Sequence, residues 1–147
     1  MNAAERERLR VVIADDHPPY RAGLARTLRE NGIDVVAEVS NGEAAIHTVE
    51  EAEPDVVVMD LNMPGLSGLE ATRRLLEEAP STVVLVLSVS AQGEDVTEAM
   101  EAGAHGYLLK DGPLEEVVAG IRAAAAGQTL ISPRVLPEGP PEPGPSA

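Results

Sequence analysis

The feature that most constrains this chain is a fivefold alternation of short apolar runs with amphipathic segments. Leu9–Asp15, Asp34–Val39, Asp55–Asp60, Thr82–Ser88 and Gly106–Leu109 are β-branched or leucine-rich. Most lack the apolar/polar alternation of a half-exposed strand, as strands covered on both faces do. Between them Tyr20, Leu24 and Leu28 recur at four-residue spacing up to Gly32, while Leu114, Val117, Val118 and Ile121 form an i, i+3, i+4, i+7 stripe between Pro113 and Gly127. Ser40–Glu43 and Ser67–Glu70 both fit the S-x-x-E capping box that opens a helix. Strand–helix alternation of this kind predicts a parallel sheet covered on both faces, a (βα)5 α/β fold. Right-handed crossovers then favour a doubly wound, flavodoxin-like sheet of five strands in the order 2-1-3-4-5.

Composition narrows the function classes. The chain has no cysteine, which removes disulfides, thiolate metal sites and thiol nucleophiles. Eleven basic against 25 acidic residues leave a net charge of −14, a surface that repels phosphate backbones, so direct DNA binding by these residues is not expected. Apolar runs are far shorter than a membrane span, and Met1–Arg10 lacks the apolar stretch of a signal peptide, so no membrane association and a cytoplasmic location are expected. Lys110 is the only lysine, against ten arginines. The sequence divides into an N-terminal extension (1–8), one globular domain (9–132) and a tail (133–147) in which six of 15 residues are proline, the composition of an extended, disordered linker.

In open parallel sheets, ligands bind beyond the carboxyl ends of the strands near the point where strand order reverses. Strand 1 ends in Asp15-Asp16, strand 3 in Asp60, strand 4 in Ser88, and Lys110 follows strand 5. With strands 1 and 3 adjacent, three carboxylates share one cleft, with a hydroxyl and an ammonium on its far wall. Two unit charges about 4 Å apart repel by roughly 4 kcal/mol at an effective dielectric of 20. Such a cluster therefore takes up a proton or holds a cation, and an all-oxygen donor set selects a hard divalent ion, Mg²⁺ by default. The plainer alternative is that each aspartate merely caps the helix after it.

The segments VVIADDHPPYRAGL, DVVVMDLNMPGLSGLEATRRL, VLVLSVS and EAGAHGYLLKDG, in that order, resemble the receiver domain of bacterial two-component response regulators. DDHP and GYLLKD are most similar to the NarL/FixJ (LuxR-type) class. The resemblance implies that Asp60 accepts a phosphoryl group from a sensor histidine kinase. It implies that Asp15, Asp16, Asp60 and the backbone carbonyl of Asn62 hold Mg²⁺, that Ser88 bonds a phosphoryl oxygen and that Lys110 pairs with the phosphoryl group. Ser88 and Tyr107 would form the conformational switch. It implies a phosphoacceptor that assists its own chemistry, not an enzyme in the ordinary sense. It also implies a homodimer on activation, with Ala119, Ala123 and Ala126 of the last helix as the candidate surface, and transcriptional control through a helix-turn-helix domain that this chain does not encode.

Alternatives are a stand-alone receiver acting by protein–protein contact and a haloacid-dehalogenase-type phosphatase. The latter wants a second acid two residues after the nucleophile, where this chain has Asn62, and the glycines at 65 and 68 match no nucleotide-binding pattern. His17 beside Pro18-Pro19 is expected in a turn, and His47 and His105 have no partner at ligand spacing. Met59, Met63 and Met100 are expected to fill gaps, Glu94, Asp95, Glu98 and Glu101 to form a solvated helix face, and Pro64-Gly65 to shape a loop.

Overall fold

The computed structural model describes residues 8–136; residues 1–7 of the N-terminal extension and 137–147 of the proline-rich tail lie outside the described residues. The strands are β1 (Arg10–Ala14), β2 (Asp34–Val39), β3 (Val56–Asp60), β4 (Val83–Ser88), β5 (Gly106–Leu109) and β6 (Leu130–Ile131). The helices are α1 (Pro18–Glu30), α2 (Gly42–Ala52), α3 (Gly68–Glu78), α4 (Gly93–Glu101) and α5 (Leu114–Ala125). All strand pairs are parallel, in the order β2-β1-β3-β4-β5-β6. The five expected strands stand in the expected order, and the reversal falls between β1 and β3.

Successive residues of each strand feed opposite layers, as the pleat requires. Val11, Ile13, Val56, Val58, Leu85, Leu87 and Leu108 pack under α1 and α5 with Leu24, Leu28, Val117 and Ile121. Val12, Ala14, Val57, Met59, Val84, Val86, Tyr107 and Leu109 pack under α2, α3 and α4 with Ala45, Ala71, Leu75 and Ala99. The central strand β3 is buried at every position, which is why its sequence shows no alternation.

Local chemistry sets the helix starts. Pro18 and Pro19 occupy the opening positions of α1, where a missing N–H costs nothing, and His17 provides no side-chain cap. Ser67 caps α3 as expected, its Oγ accepting from the Glu70 N–H at 3.1 Å, although the Glu70 carboxylate turns to Arg73 and Arg74. The other expected cap is displaced by one residue: Asn41, not Ser40, accepts from the Ala44 N–H at 2.8 Å and opens α2. Asparagine is as good an N-cap as serine, so the S-x-x-E pattern is outcompeted by its neighbour.

The sixth strand was not expected. Leu130 and Ile131 pair with Gly106 and Tyr107. A Cβ on Gly106 would stand 3.0 Å from the Leu130 carbonyl and 2.7 Å from Leu85 Cδ1, so glycine is what lets the chain approach. Side-chain chemistry then extends the strand. The buried Ser132 donates its N–H to the Tyr107 carbonyl at 2.9 Å, and its Oγ accepts from the Leu109 N–H at 3.1 Å. Beyond it Arg134 reaches Asp111 at 2.7 Å, and the Leu136 N–H donates to the Ala91 carbonyl at 2.7 Å.

Candidate functional site

The carboxyl ends of β1, β3, β4 and β5 converge on one cleft. Register places it: Ala14 lies opposite Met59 and Asp60 opposite Leu87, so Asp15 and Asp60 are neighbours and Ser88 follows one step beyond. The Lys110 N–H donates to the Ser88 carbonyl at 2.9 Å, which continues the ladder and brings the lysine to the rim.

Asp15 and Asp60 are buried, whereas Asp16 is exposed. One carboxylate oxygen from each of the three lies within 4.8 Å of the others. The Lys110 ammonium sits between the buried pair, 2.8 Å from Asp15 Oδ2 and 3.3 Å from Asp60 Oδ2. Backbone amides take the remaining oxygens: Asp15 Oδ1 accepts from the His17 N–H at 2.7 Å and Asp60 Oδ1 from the Asn62 N–H at 3.0 Å. Arg21 holds the Asp15 carbonyl at 2.6 Å from outside the cluster.

Burial dominates the protonation of Asp60 and raises its pKa; Asn62 and Lys110 pull the other way, and the charge on Asp15 adds to the rise. For Lys110, burial works against the charged form, but its pairing with Asp15 and Asp60 outweighs burial and leaves the pKa raised. The ring of Tyr20, in the first turn of α1, lies against this ammonium at 4.6 Å from centroid to Nζ. Burial first, then the charges of Asp15 and Asp60, push the Tyr20 phenol up to about 12.

The donor set suits a hard divalent cation: three carboxylates with no nitrogen or sulfur ligand. Asp15 Oδ2 is buried 2.8 Å from the ammonium, and a carboxylate oxygen in such a pair keeps a second lone pair that could face a cation.

Ser88 and Tyr107 stand on the other side of the pleat. Ser88 Oγ accepts from the Ser90 N–H at 3.0 Å. Tyr107 is fully buried, its hydroxyl donating to the Ser90 carbonyl at 2.8 Å, and its pKa is raised by burial. Ser90 therefore joins the two, and the hydroxyl of Ser90 is in turn bonded to Asp95 at the start of α4. Ser90 was not among the residues the sequence singled out, and a serine in a loop carries no pattern that would find it. Asp95 is consequently not part of a solvated face, unlike the exposed Glu94, Glu98 and Glu101.

Gly68 was also missed as a support of the site. A Cβ there would lie 2.2 Å from the Asp60 carbonyl oxygen and 2.8 Å from Leu61 Cα, so only glycine lets α3 start against the backbone of Asp60. The remaining candidates fall outside the cluster. His17 and His47 are exposed, and His105 accepts from the Val84 N–H at 3.0 Å, a structural role in the β4–β5 ladder. Met59 and Met63 are buried, Met100 packs at the core edge, and Pro64-Gly65 form an exposed turn with Gly65 at φ +78°. A broad hollow of about 620 Å³ lies at the opposite end of the sheet, among residues preceding β1, β3 and β4 such as Leu9, Asp55 and Thr82, and has no part in the cluster.

Residues 11–122 match the model of the response regulator receiver domain, and the chain belongs to that family. Among curated proteins, it is 43% identical over 128 residues to the response regulator GacA of Pseudomonas aeruginosa, covering 86% of this chain and 60% of that protein. It is 41% identical over 128 residues to the nitrate/nitrite response regulator protein NarL of Escherichia coli K12, covering 86% and 59%. This chain thus spans about 60% of the length of those relatives. Among solved structures, a LuxR-family two-component response regulator from Aurantimonas sp. superposes with a TM-score of 0.84 at 36% identity, covering 88% of this chain and 93% of that one. The signal receiver domain of a putative response regulator NarL from Mycobacterium tuberculosis superposes at 0.79 and 35% identity, covering 83% and 99%. The chain is a receiver of the NarL/LuxR class, a phosphoacceptor rather than an enzyme in the ordinary sense. Among the described residues no helix is long and apolar enough to cross a membrane.

Proposed function

We propose that Asp60 is the phosphoacceptor of a Mg²⁺-dependent transfer from a kinase phosphohistidine, and that the resulting acyl phosphate is read out through Ser88, Ser90 and Tyr107. The observation that carries this reading is the buried Asp15–Asp60 pair beside an exposed Asp16, bridged by the only lysine in the chain. In the step, an Asp60 carboxylate oxygen attacks phosphorus in line, an O–P bond forms, and the N–P bond of the donor breaks with its electron pair leaving on the imidazole. Asp15, Asp16, Asp60 and the Asn62 carbonyl would hold Mg²⁺, which supplies neutralisation of phosphoryl charge when bound. The Asn62 N–H orients the carboxylate through Oδ1. Lys110, already 3.3 Å from Asp60 Oδ2, is within reach of a phosphoryl group formed there.

Readout follows from three short links. Ser88 Oγ can donate its proton to a phosphoryl oxygen while still accepting from the Ser90 N–H. Drawing Ser88 toward Asp60 therefore draws Ser90 as well, and the Ser90 carbonyl carries the Tyr107 hydroxyl with it. A local charge event thus moves the β4–α4 loop and a buried ring together.

Incubation with a small acyl phosphate, followed by intact-mass measurement, tests the assignment. One phosphoryl adduct is expected with Mg²⁺ and none in excess chelator or in Asp60→Asn; an adduct at the wild-type rate in that variant overturns it. The output belongs to the same proposal: control of transcription through a helix-turn-helix domain outside these residues, in a dimer formed on activation. Support comes from relatives such as the transcriptional regulatory protein DegU of Brevibacillus brevis, 40% identical over 129 residues. Ala119 on α5 and Ala126, the residue that caps it, are exposed where a second copy would pack. Sedimentation with and without beryllofluoride checks the dimer; a monomer in both states would sink it.

A further inference from the structure

We propose that Tyr20 is a positioning residue for phosphotransfer: its ring carries the Lys110 ammonium and keeps it at the carboxylate pair, ready for an incoming phosphoryl group. This rests on the reading of Asp60 as the acceptor.

The geometry is specific. Lys110 Nζ lies 4.6 Å from the Tyr20 ring centroid, within the range of a cation–π contact, while its side chain is only 12% exposed. Such a contact gains strength when the cation is withdrawn from water. Three groups therefore define where the ammonium sits: two carboxylates ahead of it and an aromatic face beside it. The carboxylates alone would leave a flexible four-carbon stem free to swing about them, since an ammonium is a point charge without a preferred direction. The aromatic face supplies that missing restraint.

Tyr20 is well placed to do so. It follows Pro18 and Pro19 at the rigid start of α1, and its ring packs on the layer beneath α1 and α5. Its hydroxyl is buried and has no hydrogen-bond partner among the described residues. A buried phenol without a partner costs folding free energy, so the hydroxyl does not explain the residue. A leucine or methionine could pack in the same layer without that cost. What neither aliphatic residue offers is a π face to the cation.

Ring and hydroxyl are separable by substitution. Tyr20→Phe keeps the face and removes the orphan hydroxyl; Tyr20→Leu and Tyr20→Met keep apolar packing and remove the face. Because Lys110 is the only lysine, protein grown on ¹³Cε-lysine shows a single side-chain signal in the whole 147-residue chain. In the wild type and Tyr20→Phe, ring current should displace the Lys110 Hε protons upfield of free lysine. In Tyr20→Leu and Tyr20→Met that displacement should vanish while thermal melting still reports a folded chain.

The rate of phosphorylation by acetyl phosphate at saturating Mg²⁺ should fall about two- to fivefold in the aliphatic variants, which corresponds to a contact of about 0.5–1 kcal/mol at about 1.4 kcal/mol per factor of ten. Tyr20→Phe should match wild type. Testing both aliphatic variants guards against one of them failing to fold. A folded aliphatic variant with an unmoved lysine signal and a wild-type rate overturns the proposal, as does Tyr20→Phe behaving like Tyr20→Leu, which would assign the effect to the hydroxyl. Asp60→Asn run alongside separates the two levels: an adduct at the wild-type rate in that variant removes the acceptor assignment, whereas the lysine signal, read without phosphate, tests the ring–ammonium contact by itself.

Discussion

The two layers flanking the sheet are built from different materials. Among the described residues, the layer under α1 and α5 has 14 buried residues, and all but Ala25 are valine, isoleucine or leucine. The layer under α2, α3 and α4 has 16, of which five are alanine and two methionine, with Tyr107 as its one large ring. Branched residues interlock and hold one arrangement, while alanine and methionine leave room and adapt. Pleat parity sorts the chemistry in the same way. Asp60 continues the Val56–Val58 face toward α1 and α5, whereas Ser88 continues the Val84–Val86 face toward α2–α4, where Tyr107 also lies. The proposed phosphoacceptor thus stands on the interlocked side, and the residues proposed to read it out stand on the adaptable one. A nucleophile needs a fixed position, and a switch needs a neighbour that can give way.

The largest expected effect tests the interlocked side. Leu28→Ala should lower the unfolding free energy by about 2–5 kcal/mol in a denaturant titration while leaving the phosphorylation rate of the folded fraction unchanged. Leu75→Ala, equally buried in the other layer, should sit toward the lower end of that span because its neighbours can close the gap. Equal costs would end the distinction. Gly68→Ala comes next, at about 1–3 kcal/mol for overpacking. Unlike Leu28→Ala it should also slow phosphorylation, because the added methyl meets the backbone of Asp60 itself. Tyr107→Phe should cost about 0.5–1.5 kcal/mol, the worth of one hydrogen bond. Faster amide exchange should be confined to the β4–α4 loop; acceleration spreading to β1 and α1 would mean that the layers are not mechanically distinct.

The smallest effect is electrostatic. Because burial raises the Asp60 pKa in the fold, the native state holds that proton more tightly than the unfolded chain, and the ionised carboxylate counts against stability at neutral pH. Its contribution is fully present below the unfolded value of 3.8 and is lost as pH rises through the folded one. Asp60→Asn should therefore melt higher than wild type at pH 7 without Mg²⁺, and the gap should narrow as the pH is lowered toward 4. A gap that widens on acidification contradicts the sign.

Much of this organisation could be read from residue order, and the exceptions have physical causes. Strands such as Val56–Asp60 declare themselves because burial on both faces demands an unbroken apolar run, and strand order then places Asp15 beside Asp60. What the order of residues does not carry is competition at one-residue resolution, as with Asn41 displacing Ser40 at the start of α2. Nor does it carry contacts set by packing alone. Nothing in Asp15-Asp16 says that the first is buried and the second exposed. Tyr20 meets Lys110 at a sequence separation of 90, and Gly68 matters because of a backbone it touches rather than a motif it completes. The two-residue β6 is too short for any periodicity and depends on the Ser132 side chain to continue it.

That short strand also decides at which end of the sheet the last described residues lie. A helix that connects parallel strands runs back toward their amino ends, so a chain stopping its path at α5 would emerge on the side away from the carboxylates. By pairing parallel to β5, Leu130 and Ile131 carry it forward again, and the bond from Leu136 to Ala91 fixes Leu136 beside the loop that follows Ser88. Leu136 therefore stands at the same end of the sheet as Asp60, moored by one backbone hydrogen bond to the loop most directly attached to Ser88 and Tyr107. A shift of that loop by about an ångström moves the mooring by a comparable amount, so a displacement at the strand ends reaches Leu136 without passing through the core.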